Sequence, residues 1–432
     1  MKQTRFQSIL KKTYVTLLLI IFGGIILHAP FSIGLGVLFP NLSLLIKSWK
    51  EILMIIAGLI AIYFLIKNRQ FKLLREPIMI LSAVYILLHL ILLPFFGDSL
   101  NSKLAGLIID LRYVFFFCLV YITLRMWPGY KRMFLKVGLV GALIVILFGL
   151  MQIFILPKDI LKYIGYNVNT ISPYMTVDQN HDFIRINSTL RGPNPLGAYI
   201  IVILAVIVSY FCKFKLKIDD KLKYLLTSLL LGGLVVLWFT YSRSAIVAAI
   251  VSIVLVVLLS FSGKILSKKL PLVIIAATLA IFAGLIFAFN NNYLISNVLL
   301  HQNPNDDTSV NSNDNHLSSI QTGLTLALIQ PFGAGVGSTG SASLFGSSPI
   351  IIENQYLFIA HEAGWIGLVL FIGIFGLLMF KLWQNRKDWL ALGVFASGVG
   401  LALVGLLLPV WVDDTVSIIW WGLAAIALIK QK

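Results

Sequence analysis

The sequence has very few charged residues. Only 12% of its 432 residues are Asp, Glu, Lys or Arg, whereas 59% are hydrophobic. Soluble globular domains are usually about 25% charged, so a chain of this composition is not expected to keep its surface in water. A lipid bilayer is the solvent that fits it. The composition therefore predicts an integral membrane protein and argues against a soluble enzyme.

Cysteine is also scarce. The chain has two, Cys118 and Cys212, and both lie within apolar runs. Two such thiols supply neither a disulfide framework nor the closely spaced ligands of a structural zinc site, so no metal is predicted. No small-residue cleavage site follows the first apolar run. That run is therefore expected to be kept as a helix and not removed as a signal peptide.

Apolar runs that could cross a bilayer recur along the whole chain. A spanning helix requires about 20 mostly apolar residues, and twelve runs of this kind predict an all-α polytopic membrane domain over residues 1–432. The predicted spans are Tyr14–Leu27, Trp49–Ile66, Pro77–Phe96, Leu104–Leu124, Phe134–Leu156, Pro195–Phe211, Leu222–Phe239, Ser244–Phe261, Pro271–Phe289, Tyr356–Phe380, Trp389–Leu408 and Val416–Ile429. Phe31–Leu45 is apolar but contains Gly34, Gly36 and Pro40, which predicts an interfacial or re-entrant segment.

The basic residues alternate from one predicted loop to the next. With the N-terminus placed in the cytoplasm, the cytoplasmic segments hold 25 of the 34 Lys and Arg residues and only 4 of the 17 acidic residues. Cytoplasmic loops of membrane proteins carry an excess of Lys and Arg, so this pattern predicts that both termini are cytoplasmic. The net charge of +17 is thus interpreted as a topology signal, and no nucleic acid is predicted as a partner.

Two of the predicted extracytoplasmic segments are long, residues 157–194 and residues 290–355. Most connections between membrane helices are short, and long ordered loops commonly carry function. The stretch 301–316 is polar and of low complexity, which predicts a mobile tip. The functional site is therefore expected in the remaining parts of these two segments and on the outer face of the membrane.

Four arginines lie outside the predicted cytoplasmic segments: Arg112, Arg185, Arg191 and Arg243. Arginine stays charged, and its planar guanidinium group fits phosphate oxygens with two parallel hydrogen bonds. These residues could therefore bind a diphosphate at the outer rim of the membrane. Arg112 could instead pair with Asp110 or with an acid of another helix. For Arg191 and Arg243 the alternative is a structural bridge or a lipid-headgroup anchor.

The segment Gly192–Gly197 combines a break in the chain with the start of a helix. Pro195 suits the first helical turn, and Asn194 could cap it. The N-terminus of a helix favours anions because its backbone N–H groups and its dipole point toward them. Arg191 precedes this helix directly, so the sequence predicts that both positive features face the same space.

The second long segment ends in ionisable residues. Glu353 lies just before the tenth predicted span. His361 and Glu362 follow about two turns after Glu353 and so lie within the membrane boundary. Such groups could act as a general base, or they could be interior polar residues that pair with neighbouring helices. The glycine-rich Pro331–Ser338 lacks the Gly-Lys-Ser/Thr of a phosphate-binding loop. It predicts a tight turn after a short outer helix, Leu317–Ile329.

These motifs, in this order, resemble the O-antigen ligase and O-antigen polymerase family (Wzy-type, with its shared C-terminal domain). The resemblance covers about residues 185–371. Each motif is weak alone, but all are predicted on the same side of the membrane. The motifs are Arg191–Gly197 before a span, the turn Tyr241–Ala245, the glycine-rich Pro331–Gly337, and Asn354–Leu357 followed by Glu362–Gly367.

The resemblance implies transfer of a glycan from undecaprenyl diphosphate to a sugar hydroxyl outside the cytoplasmic membrane, without a metal or other cofactor. It implies that Arg191, Arg243 and Arg185 bind the diphosphate and that Glu353 or His361 is the catalytic base. The residues expected to support them are Asn194, Asn354, Glu362 and Arg112. Besides the lipid-linked oligosaccharide and the bilayer, the resemblance allows a chain-length regulator as a partner.

One departure from the family pattern affects the choice of reaction. Ligases of this family commonly carry a His-Asn pair before the tenth-span helix, and this sequence has Glu353-Asn354. A glutamate can also deprotonate a sugar hydroxyl, but the change favours a polymerase that joins repeat units over a ligase that uses a different acceptor. The product would be a capsule, an exopolysaccharide or an O-antigen.

The sequence alone leaves open two hypotheses for a function outside this enzyme class. A secondary transporter or flippase would use charged residues within the membrane, and Asp110, Arg112 and Glu362 are the candidates. A purely structural membrane scaffold would leave the arginine-containing turn at Arg243 without a role. Most charged residues outside the cytoplasmic segments lie near the outer rim, which favours the glycan polymerase.

Overall fold

The computed structural model describes residues 5–95, 99–177, 180–214, 219–261 and 312–429, and these are mostly helical. The helices of these ranges are α1 Arg5–Gly24, α2 His28–Leu38, α3 Ser43–Lys47, α4 Trp49–Lys67, α5 Pro77–Leu92, α6 Leu100–Met126, α7 Lys131–Phe154, α8 Pro193–Phe214, α9 Asp220–Phe239, α10 Arg243–Phe261, α11 Ser312–Ile329, α12 Gly340–Ser343, α13 Gln355–Gln384, α14 Trp389–Val404 and α15 Asp414–Ala427. An antiparallel hairpin of β1 (Met175–Val177) and β2 (Asn180–Arg185) precedes α8.

Eight helical stretches in the described ranges are long and apolar enough to cross a membrane. They correspond to eight of the predicted spans, and the shorter apolar helices α5, α14 and α15 correspond to three more. The predicted span Pro271–Phe289 and most of the polar stretch 301–316 lie outside the described residues. The number of spans and their orientation therefore remain predictions, whereas the largely helical, multi-pass character of the chain is confirmed.

The segment predicted to be interfacial or re-entrant is helical over much of its length. A short 3₁₀ turn joins α1 to α2, so that Arg5–Leu38 forms one apolar helical stretch. Gly34 and Gly36 lie within α2, and the helix ends before Pro40. A proline terminates a helix more strictly than glycine does, since it lacks the backbone N–H.

The first of two compact units comprises residues 1–141, 319–382 and 408–432. Its α6 packs against α4 and α15. Four of its large aromatic side chains form a continuous cluster, with ring centroids 5.1 Å apart for Trp411 and Trp420, 5.5 Å for Trp420 and Trp421, and 5.5 Å for Phe375 and Trp420. Aromatic pairs at such distances add to the stabilisation from burial, so this cluster fixes α13 and α15 together.

The second unit comprises residues 142–318 and 383–407. Its core is formed by α8, α10 and α14, which pack on one another. A Cβ atom at Gly393 would lie 2.7 Å from the Cα of Val206 on α8, and one at Gly400 would lie 2.8 Å from the carbonyl oxygen of Ala248 on α10. Small residues of this kind allow the close helix approach that is typical of membrane proteins.

Candidate active site

Arg185 connects three separate parts of the second unit. It is the last residue of β2. Its Nε donates to the carbonyl oxygen of Thr240 over 2.8 Å, and its Nη2 donates to the Oδ1 of Asn194 over 2.6 Å. Thr240 belongs to the turn before α10, and Asn194 belongs to the first turn of α8. One guanidinium group therefore holds together the two sequence motifs that were predicted to form an anion site.

Asn194 has a different local role from the one predicted. The helix α8 begins at Pro193, one residue before Asn194. Asn194 thus lies inside the first turn and not at the capping position, and its side-chain oxygen accepts from Arg185. A proline suits the first helical position because it has no N–H to leave unpaired and its φ is already helical. Pro193 takes this position, and Pro195 lies in the first helical turn as predicted.

The first turns of α8 and α10 lie against one another. A Cβ atom at Gly197 would lie 2.6 Å from the Cβ of Ala245, so only glycine permits this approach. Arg243 is the first residue of α10 and is partly exposed, and Arg191 is exposed just before α8. Two helix N-termini and the residues Arg191 and Arg243 therefore occupy one region, and helix N-termini attract anions.

The turn before α10 is strained. Tyr241 has a φ of +46°, which is uncommon for a residue other than glycine. Its ring packs against Phe183 of β2 at a centroid distance of 6.0 Å, and the backbone N–H of Ile186 donates to the carbonyl oxygen of Phe239 over 3.2 Å. These contacts hold the turn in a conformation that an isolated chain would avoid, and strain of this kind is concentrated at functional sites.

In the first unit, the glycine-rich segment packs on a break in α13. Gly364 has φ +68° and ψ −176°, which interrupts the helix. The backbone N–H groups of Ala334 and Gly335 donate to the carbonyl oxygens of His361 and Glu362 over 2.6 and 3.2 Å. Carbonyl groups that a break releases inside a membrane helix need such partners. The predicted tight turn is thus found after α11, and it also completes the hydrogen bonding of α13.

The predicted base and its neighbour lie at the start of α13. Asn354 caps this helix: its Oδ1 accepts from the backbone N–H groups of Tyr356 and Leu357, both over 2.9 Å. Glu353 is partly exposed, and its backbone N–H donates to the Oγ of Ser319 on α11 over 2.9 Å. The cap and this bond fix the chain on both sides of the Glu353 side chain.

His361 and Glu362 are buried within α13. Both ring nitrogens of His361 are buried and have no hydrogen-bond partner among the residues that the structure describes. One oxygen of Glu362 accepts from the backbone N–H of Thr339 over 3.2 Å, and its carboxyl group neighbours that of Asp110. The Nε2 of His89 lies 3.7 Å from Asp110. His89 was not predicted, because a single histidine in an apolar run gives no sign of its partners.

Arg112 is bound in an ion-pair network of the first unit. Its guanidinium group pairs with Asp414 and donates to the carbonyl oxygen of Val412. Asp414 also lies 2.8 Å from the Nε2 of His28 and 3.4 Å from the Nζ of Lys50. The sequence predicted an ion pair with an acid of another helix as one alternative for Arg112, and Asp414 is such an acid. Such a network neutralises buried charge, which gives Arg112 a structural partner apart from any substrate.

The predicted site residues thus fall into two groups. Arg185, Asn194, Arg191 and Arg243 lie in the second unit, where Arg185 and Asn194 are in direct contact. The first unit holds Glu353, Asn354, His361, Glu362 and Arg112. In the described part of the chain, no group of three or more His, Cys, Asp and Glu side chains is arranged to bind a metal ion.

The helices define a multi-pass membrane protein, and a family comparison defines its class more closely. Residues 226–372 match the family model described as O-antigen ligase, which confirms the resemblance. The match covers less than half of the chain; it includes Arg243, the glycine-rich segment and the start of α13. This domain supports glycan transfer of the O-antigen-ligase type in polysaccharide biosynthesis. A comparison with curated proteins gave no match.

Proposed function

We propose that the chain is a glycan polymerase that transfers oligosaccharide repeat units from undecaprenyl diphosphate to a sugar hydroxyl of a growing chain. The reaction would take place on the outer side of the cytoplasmic membrane. The observation that carries this proposal is the geometry at Arg185, which joins the first turn of α8 to the turn before α10. Arg191 and Arg243 lie at these two helix starts.

Two of the three arginines, Arg191 and Arg243, would bind the diphosphate directly. As the anomeric C–O bond breaks, negative charge develops on the diphosphate leaving group. Fixed positive charges aimed at that position stabilise the transition state more than the ground state. Arg191 and Arg243 would contact the phosphate oxygens, and the N-termini of α8 and α10 would add to the positive potential. Arg185 would position both elements, since its guanidinium group already bonds to Thr240 and Asn194.

Glu353 would be the general base, and His361 is the second candidate. The base takes the proton of the acceptor hydroxyl, the hydroxyl oxygen forms a bond to the anomeric carbon, and undecaprenyl diphosphate leaves. Glu353 is partly exposed and its backbone is held on both sides, which suits a group that meets a substrate. Glu362 is less suited because one of its oxygens already accepts from Thr339.

A ligase-type transfer to an acceptor that is not carrier-linked is the nearest alternative, and Glu353 in place of histidine favours the polymerase. One observation supports a function of another class. The buried Glu362, Asp110 and His89 of the first unit form a chain of ionisable groups among membrane helices. Groups of this kind occur in ion-coupled transporters, so a secondary transporter or flippase is the second candidate.

The test is a reaction with the purified full-length protein in detergent. Undecaprenyl-diphosphate-linked repeat units from the host would be added, and both the glycan ladder and the released undecaprenyl diphosphate would be measured. A ladder is expected for the wild type and for the exposed-arginine control Arg132→Ala, and Arg243→Ala should form none. Transfer only to an added, carrier-free acceptor would indicate a ligase. If no acceptor led to diphosphate release, the transporter would be favoured instead.

A further inference from the structure

We propose that a cavity beside Arg185 binds the sugar residue that is attached to the diphosphate of the lipid-linked substrate. This inference rests on the proposed function, because it names a further part of the same substrate. The cavity lies in the second unit between the end of α7, the hairpin and the turn before α10, and its volume is about 160 Å³. A cavity needs roughly 10–15 Å³ of volume on the same measure to hold one water molecule, so the space accommodates a larger group such as one sugar ring.

Asn187 gives the strongest indication that this cavity is a binding site. Asn187 lines the cavity, is only 1% exposed, and has both side-chain polar atoms buried without a hydrogen-bond partner among the described residues. A buried amide without partners is unfavourable by about 1–3 kcal/mol, and nearly all buried polar groups are paired. An amide group can both donate to and accept from a sugar hydroxyl, so a bound sugar would supply the partners that Asn187 lacks.

The backbone around Asn187 is held firmly. The next residue, Ser188, has a φ of +49°. Its backbone N–H donates to the Oε1 of Gln152 over 2.7 Å, and its Oγ donates to the carbonyl oxygen of Val145 over 2.6 Å. These two bonds to α7 keep an unfavourable conformation in place. The position of Asn187 is thus fixed before any ligand binds, which reduces the entropy lost on binding.

The other lining residues fit a hydroxylated ring. The aromatic residues Tyr174, Phe239 and Tyr241 supply apolar area for the faces of a ring, and Asp182 supplies an acceptor for hydroxyl groups. Lys158 and Arg185 also line the cavity, so the lining offers both donors and acceptors to hydroxyl groups. Burial raises the pKa of the Tyr241 phenol, so this group remains uncharged at neutral pH.

Arg185 connects the cavity to the arginine-containing region. It lines the cavity, and its guanidinium group contacts Asn194 at the start of α8 and Thr240 before α10. In the substrate, the first sugar is bonded directly to the diphosphate. A diphosphate at the helix starts would therefore place its sugar beside Arg185, where the cavity lies.

The test compares two lipids and two variants of the purified full-length protein. Affinities would be measured for undecaprenyl diphosphate and for undecaprenyl diphosphate that carries the host repeat unit. The variant Asn187→Leu removes the amide at similar size, and Asn169→Leu makes the same change at an exposed position of the same outer segment. We expect Asn187→Leu to weaken binding of the sugar-bearing lipid about tenfold. Its affinity for the bare lipid should stay at the wild-type value, and Asn169→Leu should change neither affinity. The melting temperature of Asn187→Leu should be equal to or higher than that of the wild type, because a buried amide without partners is removed.

The outcomes separate this inference from the proposed function. If the wild type binds neither lipid, the proposed function and this inference both fail. If the wild type binds both lipids equally, or if Asn187→Leu weakens both to the same extent, the sugar site is wrong while diphosphate binding stands. A lower melting temperature of Asn187→Leu with unchanged sugar-dependent binding would show a structural role and also overturn the inference. Should Asn187→Leu fail to fold, Tyr174→Ala tests the same cavity, because Tyr174 is a partly buried lining residue. We expect Tyr174→Ala to weaken binding of the sugar-bearing lipid about tenfold as well. Equal weakening for both lipids, or unchanged binding of the sugar-bearing lipid, would overturn the inference.

Discussion

At the scale of single residues, Arg185 shows why arginine and lysine are not interchangeable. Its guanidinium group donates from two different nitrogen atoms to two partners, Thr240 and Asn194, on different elements. A lysine has a single charged nitrogen at the end of a flexible stem. Its three N–H groups all leave that one atom, so they do not match the spacing of the two partners as the planar guanidinium group does, and at least one of the two hydrogen bonds would be weakened or lost. The second unit thus depends on the shape of this group as well as on its charge.

We therefore expect Arg185→Lys to lower both stability and activity although the charge is kept. The loss of one charge-assisted hydrogen bond predicts a decrease of about 1–2 kcal/mol in the free energy of unfolding. The release of undecaprenyl diphosphate should slow at least about tenfold, since the two helix starts would no longer be held together. Thermal unfolding in detergent and a diphosphate assay would measure these effects, with Arg132→Lys as the exposed control. Wild-type values for both would contradict the positioning role.

For Glu353, the expected effect is on the rate and not on binding. Glu353→Gln keeps the size of the side chain but removes the proton acceptor, which predicts a loss of about 10²–10⁴-fold in kcat. The affinity for the lipid-linked donor should remain at the wild-type value, because the proposed diphosphate ligands are the arginines. Single-turnover kinetics together with a binding measurement would separate the two effects. Full activity of Glu353→Gln would exclude Glu353 as the base and make His361→Gln the next variant to test.

At the scale of elements, the conformation of α13 depends on a glycine at one position. Gly364 has a positive φ, and a Cβ atom there would lie 2.6 Å from the carbonyl carbon of Phe332 and 2.7 Å from the carbonyl oxygen of Pro331. Both contacts are with backbone, which cannot rotate away as a side chain can. The break in α13 and the glycine-rich segment therefore depend on one another.

Gly364→Ala is expected to destabilise the protein, and Gly376→Ala in the same helix is its matched control. A Cβ atom at Gly376 would meet no atom within 4 Å, and alanine favours a helix interior over glycine by about 1 kcal/mol. We expect a lower melting temperature for Gly364→Ala, because a strained backbone and a steric clash together exceed about 2 kcal/mol. Gly376→Ala should have an unchanged or higher value. Equal melting temperatures for the two variants would show that the break is not required.

Sequence patterns predicted the helices well but not their partners. Apolar runs locate the helices because the bilayer imposes a length and a composition on each one. The hairpin of β1 and β2 was missed, since its strands are short and rich in polar residues. The pairing of Arg112 with Asp414 joins residues 302 positions apart, and no local pattern encodes it. The break at Gly364 was missed because glycine is common within membrane helices, and only the backbone conformation shows that this one is needed.

The candidate site was also predicted only in part, because its contacts join residues that lie apart in the sequence. The arginines were identified because a charged side chain at membrane depth raises the free energy unless it is paired with another group. The structure then supplies the contact that joins Arg185 to Asn194. Asn187 was not singled out, because an asparagine in a polar outer segment is ordinary until its burial is known. Burial depends on the folded environment of the side chain, which periodicity and composition do not describe.

At the scale of the whole molecule, the distribution of Lys and Arg predicts the side of the membrane on which each loop lies, and the proposed reaction depends on this orientation. Single-cysteine variants would test it after Cys118 and Cys212 have been replaced by serine. Lys72 and Asn169 are both exposed and lie in segments predicted to be cytoplasmic and extracytoplasmic, respectively. In intact cells, a membrane-impermeant maleimide should label the Asn169→Cys variant. It should label the Lys72→Cys variant only after the cells are permeabilised.

The opposite labelling pattern would have a consequence beyond topology. Arg185, Arg191 and Asn169 are expected on one side of the membrane, because they share one predicted outer segment. If Asn169→Cys were labelled only after permeabilisation, Arg185 and Arg191 would face the cytoplasm and not the outer side, where the proposed reaction takes place. The polymerase proposal would then fail even if the arginines bound diphosphate. Labelling as expected would leave the reaction assay as the deciding measurement between a polymerase and a ligase.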